Sequence, residues 1–303
     1  MAESEILRRL EDVGTLHKPL LVASFVRKNG INTTAAAALM HRIRSHDLQP
    51  IAQFDPEQFF DFTQSRPQVR NEGEQRVIEF PRNRVHLERA TEGGRDALIV
   101  SGIEPHLRWR HFSEELTSFA RSFDVEAVLI LRSFPANVPH TRPVLLRLTT
   151  TSEELSGELG LPQLQPSYEG PIDIGEVVAS ELAASGVAIG GMTVLVPNYL
   201  GVVPNPMAVL GVTRTLDRLI GAETPTGQYE EAADNVRAQA DEQMQASAEV
   251  REAVEAMEEQ YESIAGAAGA AGAAGEEDSD LPSVSDLLED VERFLSNEGD
   301  RPS

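Results

Sequence analysis

Along the first 220 residues, short apolar runs that barely alternate are separated by longer stretches with helical periodicity. A strand whose consecutive residues are all apolar suits a sheet covered on both faces, as in helix-flanked parallel sheets. Strands are predicted at 20–26, 51–54, 98–101, 125–131, 144–150 and 192–196, with helices at 33–45, 107–123, 153–158, 176–185 and 207–220. Segments 76–80 and 85–89 alternate polar and apolar residues with period two, which predicts a hairpin or edge pair. Pro206 is suited to the first turn of the helix at 207–220. Strands spaced by helices of these lengths predict βαβ crossovers. The expected fold is therefore α/β, a three-layer αβα sandwich with a mostly parallel central sheet. One domain, 19–221, accounts for these elements after an N-terminal segment, 1–18.

Beyond residue 221 the pattern changes. Within the extension, 222–265, residues 230–264 have few helix breakers and place Val250, Val254, Met257, Tyr261 and Ile264 at alternating spacings of four and three, the seam of an amphipathic helix. This C-terminal helical extension is expected either to fold back on its own domain or to pair with another chain. A Gly/Ala run followed by acidic residues makes 266–280 a flexible linker. The remainder, 281–303, is expected to hold a short amphipathic helix whose apolar side, Leu287, Leu288, Val291, Phe294 and Leu295, is a candidate partner-binding face.

The charge sits mainly in that C-terminal part. The chain carries 49 acidic and 26 basic residues, a net −23, and 22 of the acidic residues but only four of the basic ones follow Ala222. Such a balance repels nucleic acid and anionic membranes, while a basic protein surface remains a possible partner. There is no cysteine, which excludes disulfides, thiolate nucleophiles and Cys-based metal sites. The first residues lack an apolar signal core, and no apolar run approaches the length of a membrane span. The reading is a cytoplasmic protein.

Phosphate-binding loops, dinucleotide fingerprints, nucleophile elbows and His-Glu-x-x-His motifs are all absent. His106 and His111, five apart, diverge on a helix and do not share a metal. No cofactor and no metal are expected. In open α/β sheets, ligands gather beyond the carboxyl ends of the strands. Those ends carry Arg27 and Lys28, Ser101 and Gly102, Arg132, and Asn198. His106, Arg108 and Arg110 at a helix start, with His140 and Arg142 in Val138-Pro-His-Thr-Arg-Pro143, complete a candidate crevice or interface. Two readings stand side by side: an anion cradle, or arginines paired to carboxylates such as Glu104, Asp61 or Glu169 that fix loops. Trp109, the single tryptophan, belongs either to the core or to the edge of that crevice. Phe59, Phe60 and Phe62 read as a satellite core or as an oligomer contact.

Several ordered segments carry a resemblance. Phe54-Asp-Pro-Glu-Gln-Phe-Phe-Asp-Phe62 with Arg66-Pro67, Glu104-Pro-His-Leu-Arg-Trp-Arg110, Val138-Pro-His-Thr-Arg-Pro143, Tyr168-Glu-Gly-Pro171, and Val196-Pro-Asn-Tyr199 with Pro204-Asn-Pro206 resemble the bacterial branch of the proteasome assembly chaperone 2 family over nearly the whole chain. The resemblance implies a phosphorylase-like three-layer fold. It also implies a non-catalytic, homo-oligomeric role in assembly with a protein partner, and adds Tyr168 to the candidate residues. Two departures matter. Members often carry Phe-x-Gly-Trp-Asn-Asp-Ala-Gly after the first strand, where this chain reads Phe25-Val-Arg-Lys-Asn-Gly-Ile-Asn32. The hydrophobic-Tyr-any ending of proteasome-docking chaperones is replaced by Gly299-Asp-Arg-Pro-Ser303. The expected function is a non-enzymatic assembly or interaction protein. The alternative is a binder of, or enzyme for, a nucleoside- or phosphate-like small molecule in the crevice.

Overall fold

The computed structural model describes residues 6–27, 30–73, 75–91, 93–164 and 169–270. Lys28, Tyr168 and the 287–295 segment with Leu287, Leu288, Val291, Phe294 and Leu295 lie outside the described residues. In chain order the elements are β1 (Leu7–Arg9), β2 (Leu20–Val26), α1 (Thr33–Ser45), β3 (Pro50–Phe54), α2 (Pro56–Phe59), β4 (Gln68–Glu72), β5 (Gln75–Glu79), β6 (Arg84–Glu88), β7 (Ala97–Ile103), α3 (Trp109–Arg121), β8 (Ala127–Ala136), β9 (Leu146–Thr150), α4 (Glu153–Leu159), α5 (Ile174–Ala183), β10 (Ala188–Pro197), α6 (Pro206–Ile220), α7 (Gly227–Ala246) and α8 (Ala248–Ala270).

Eight strands form one sheet in the order β1-β3-β6-β7-β2-β8-β10-β9. The central four, β7, β2, β8 and β10, are mutually parallel. β3 shares their direction, being antiparallel to β6, which is itself antiparallel to β7. β1 and β9 close the edges antiparallel to their neighbours. The unalternating runs are explained by burial on both faces. Leu21, Ala23, Leu98, Val100, Val128 and Ile130 pack under α3 and α5, while Leu20, Val22, Ala97, Ile99, Leu129 and Leu131 pack under α1, α4 and α6.

Local chemistry sets the helix starts. Asn205 Oδ1 accepts from the Ala208 amide at 3.1 Å, with Pro206 opening α6, and Asp173 Oδ1 accepts from the Glu176 amide at 2.9 Å to open α5. α7 packs on the outer side of α6 through Ala233 against Met207 and Leu210.

Four expectations need correction. The pair 76–80 and 85–89 is not a hairpin: β5 pairs with β4 in a separate two-stranded ribbon, and β6 lies inside the main sheet between β3 and β7. Pro81, between them, cannot continue a ladder, and Val85, His86 and Glu88 of β6 are buried where a surface ribbon would leave them exposed. The N-terminal segment is not separate, because Leu7–Arg9 adds an edge strand to β3. The helix expected across 230–264 is broken at Ser247, whose extended backbone ends α7 and whose Oγ accepts from the Val250 amide to cap α8. The backbone of α8 then runs to Ala270, into the Gly/Ala run expected to be linker.

A buried charge cluster fixes where the extension leaves the domain. Arg42 of α1 is fully buried, and each of its five N–H groups has an acceptor: Glu88 Oε2 and Oε1 at 2.5 and 2.8 Å, Asp217 Oδ1 at 2.5 Å, Thr224 Oγ1 at 2.9 Å and the Ala222 carbonyl at 3.2 Å. A buried guanidinium is tolerated when its donors are matched in this way.

Candidate functional site

The carboxyl ends of the parallel strands are stitched by polar side chains. Asn32, left-handed at φ 68° just before α1, accepts from the Ser133 amide through Oδ1 at 3.1 Å and donates through Nδ2 to the Phe25 carbonyl at 3.2 Å. Ser133 Oγ in turn accepts from the Ala35 amide at 3.3 Å. Asn32 and Ser133 therefore tie β2, β8 and α1 together.

On the opposite face of the sheet, under α5, Arg27 lies 3.8 Å from Glu104, and Glu104 Oε1 accepts from the Ile174 amide at 3.1 Å. Arg132 donates from Nε and Nη2 to Asp173 at 2.8 and 2.9 Å, a bidentate pair, and from Nη2 to Glu176 at 2.9 Å. Burial disfavours the Asp173 carboxylate, but its hydrogen bonds and charge interaction with Arg132 outweigh burial and hold its pKa below the usual range. Burial pushes the Glu104 carboxyl up, with Arg27 opposing the rise.

A second group lies on the loop before β9. Within it, Tyr199 is bonded to His140, whose Nε2 lies 3.2 Å from Asp241 of α7. Arg142 pairs with Glu258 of α8 at 3.3 Å, and Thr141 Oγ1 bonds the same carboxylate. Tyr261 OH donates to the Pro143 carbonyl at 3.1 Å. The pocket beside His140 has a volume of only about 10 Å³, room for a single water. Asn198 Nδ2 donates to Asn137 Oδ1 at 2.8 Å at the rim of this group.

A third group surrounds the start of α3. His106 Nδ1 accepts from the Asp61 amide at 3.0 Å, and Nε2 lies 3.4 Å from Ser65 Oγ, so the imidazole holds the 61–65 turn. Arg108, left-handed at φ 55°, donates to Gln58 Oε1. Trp109 Nε1 donates to the Pro105 carbonyl at 2.5 Å, and its ring packs half-buried against the core beneath α3. Arg110 is exposed and makes no ion pair among the described residues.

Ser101 is buried within the sheet between Ser24 and Arg84. Gly102 has a steric reason: a Cβ there would lie 1.8 Å from Asn83 Oδ1. Asn83, fully buried, brackets the end of β7 by accepting from the Ile103 amide at 2.9 Å and donating to its carbonyl at 3.0 Å.

The expected crevice residues thus fall into three groups, not one cavity, and most of the cations are already engaged. Sequence reasoning missed Asp173 and Glu176, which hold Arg132, and Asp241 and Glu258, which hold the loop before β9. It also missed Asn83 and Arg147. The acidic N-cap at Asp173 was the available signal for the first of these. Among the described residues no cluster of three His, Asp or Glu is arranged to hold a metal ion, and no helix is long and apolar enough to cross a membrane.

A three-layer α/β domain with a parallel core and structurally committed polar groups at its strand ends defines the class. The chain belongs to the PAC2 family, whose model matches residues 29–244. It is 32% identical to a PAC2 family protein from Streptomyces avermitilis, covering 78% of this chain and 99% of that one with a TM-score of 0.68. A proteasome-assembly chaperone homologue from Mycobacterium tuberculosis matches at 28% identity over 78% of this chain and 99% of its own, with a TM-score of 0.66. An archaeal proteasome activator from Pyrococcus furiosus, at 13% identity, a TM-score of 0.61 and coverage of 78% and 97%, shares the fold. No curated protein matches the chain.

Proposed function

We propose that this protein is a non-catalytic protein-interaction factor that acts in the assembly of a proteasome core or a comparable complex, as a homo-oligomer in the cytoplasm. The observation that carries this reading is the family membership, together with a relative described as a proteasome-assembly chaperone homologue that aligns along almost its whole length. The engagement of the strand-end cations supports it. Arg27 with Glu104, Arg132 with Asp173 and Glu176, and Arg142 with Glu258 are ion pairs, and His106 and Arg108 hold neighbouring turns. A nucleoside phosphate bound there would have to displace these partners, at the cost of leaving the freed carboxylates unpaired. The net charge of −23 disfavours nucleic acid and anionic membranes as partners.

The test is to mix the full chain with separately purified core-particle α and β subunits of the same source and follow assembly by native mass spectrometry. The reading expects a complex with free subunits or a subassembly, and altered half-particle formation. No complex together with unchanged assembly would overturn it.

A further inference from the structure

Among the described residues, one buried cation at the strand ends has no counter-charge. Arg147, on edge strand β9, is 7% exposed. It has no hydrogen bond or ion pair among the described residues, and its electrostatic neighbour is the phenol of Tyr261. Burial pushes the Arg147 guanidinium below its usual range. An unmatched buried guanidinium is costly unless something supplies acceptors.

The sheet register shows what lies beside it. Arg147 is paired with Thr193 on β10, and Thr193 with Arg132 on β8. Residues paired across strands share a face, so Arg147, Thr193 and Arg132 form one row across three strands. Arg132 donates from Nε and Nη2 to Asp173 and Glu176, which leaves its Nη1 without a partner among the described residues. That Nη1 lies over Gly191: a Cβ at Gly191 would be 3.3 Å from it and 3.9 Å from Thr149 Cβ. Gly191 and Thr149 are themselves paired in the ladder. The missing side chain at 191 therefore leaves a floor between Arg132 Nη1 and Thr149, next to Arg147. Gly191, Thr193 and Leu195 are only half-buried, whereas Gly190, Met192 and Val194 on the other face are buried, so this side of β10 is reachable.

We infer that the row Arg132–Thr193–Arg147, floored by Gly191 and Thr149, is a binding subsite for a small carboxylate-bearing ligand. Planar carboxylates match the guanidinium fork, and the threonine hydroxyls add donors. Charge selects the monoanion. Asp173 and Glu176 already face Arg132, so with Arg147 these groups sum to zero; attraction is confined to the local guanidinium donors, and repulsion from Asp173 and Glu176 weighs more on a dianionic phosphate than on a monocarboxylate. This goes beyond the assembly reading and does not depend on it.

The probe is acetate, titrated at constant ionic strength against chloride, with amide NMR spectra of the full chain as the readout and inorganic phosphate as the comparator. Saturable shifts at Arg147, Thr149, Gly191 and Thr193 are expected with acetate, weakened at least tenfold in Arg147→Gln and partly restored in Arg147→Lys. Gly191→Ala, whose one tight contact is with the movable end of Arg132, should keep the fold and also weaken binding. Absence of saturable shifts in the wild type, or equal affinity in wild type and both Arg147→Gln and Gly191→Ala, overturns the site. Tighter binding of phosphate than acetate at the same amides overturns the monoanion assignment. Failure here leaves the subunit-mixing result untouched, so the two readings fall separately.

Discussion

Tyr199 OH touches His140 twice, 2.8 Å from its backbone nitrogen and 2.5 Å from its ring Nδ1. The amide N–H donates to the hydroxyl oxygen and the hydroxyl proton goes to Nδ1, which assigns the ring proton to Nε2, facing Asp241 at 3.2 Å. Burial raises the Tyr199 phenol above its usual range, so the hydroxyl keeps its proton at neutral pH. Tyr199→Phe keeps the ring but orphans the His140 amide and Nδ1. It should cost about 1–3 kcal/mol in urea unfolding and speed amide exchange at residues 139–143. Unchanged exchange there would show that the loop is held without this contact.

Arg42 should be among the positions least tolerant of change. Arg42→Met leaves Glu88, 3% exposed, and Asp217 without their cation, a loss expected to cost about 3–5 kcal/mol. Glu88→Gln keeps an acceptor for the guanidinium and should cost less. Urea midpoints order the two variants, and a Met variant as stable as the wild type would contradict the assigned role.

Gly102 and Asn83 are predicted to be coupled. Gly102→Ala drives a methyl into Asn83 Oδ1 and should cost about 1–3 kcal/mol. In an Asn83→Ala background the obstructing carboxamide is gone, so the same alanine should cost much less. A double-mutant cycle reads the coupling, and additive losses would argue against it.

His86 predicts a pH dependence. Burial, helped by Arg84, holds its pKa at about 4 against 6.5 for a free imidazole. Between those values the unfolded chain takes up a proton that the native state refuses. Stability therefore falls as pH drops from 6.5 to 4, by at most about 1.4 kcal/mol per pH unit. His86→Gln should flatten that slope in urea titrations across this window. Asp61 acts lower: hydrogen bonds from Thr63 hold its pKa at about 2, so its contribution is present above 3.8 and fades as pH falls through 2.

The central strands were legible because burial on both faces leaves a plain signature, an unbroken apolar run such as Ala97-Leu-Ile-Val100. The separate partners of β5 and β6 were not, since period-two alternation reports half-burial without naming the neighbour, and Pro81 was the cue that the ladder ends. At the strand ends, Glu104 could be anticipated as a partner for Arg27. Asp173 could not be assigned to Arg132, because 41 residues separate them and only the tertiary path brings them together. Arg147 stayed hidden for a different reason: a lone arginine in an edge strand reads as solvent-facing, and here it is buried. The break at Ser247 was concealed by helix-favouring residues on both sides of one capping hydroxyl.

The Arg42 cluster also has a consequence for the order of events during synthesis. Its acceptors come from β6, from α6 and from the segment after it, and the furthest, Thr224, lies 182 positions downstream of Arg42. Chains emerge N-terminus first, so α1 is exposed long before its guanidinium has anything to meet. Until residue 224 has left the ribosome, the inner side of α1 carries a solvated charge that resists burial. The closing stitch of the domain is therefore the stretch that leads into the helical extension, and nascent chains shorter than this wait with that flank open.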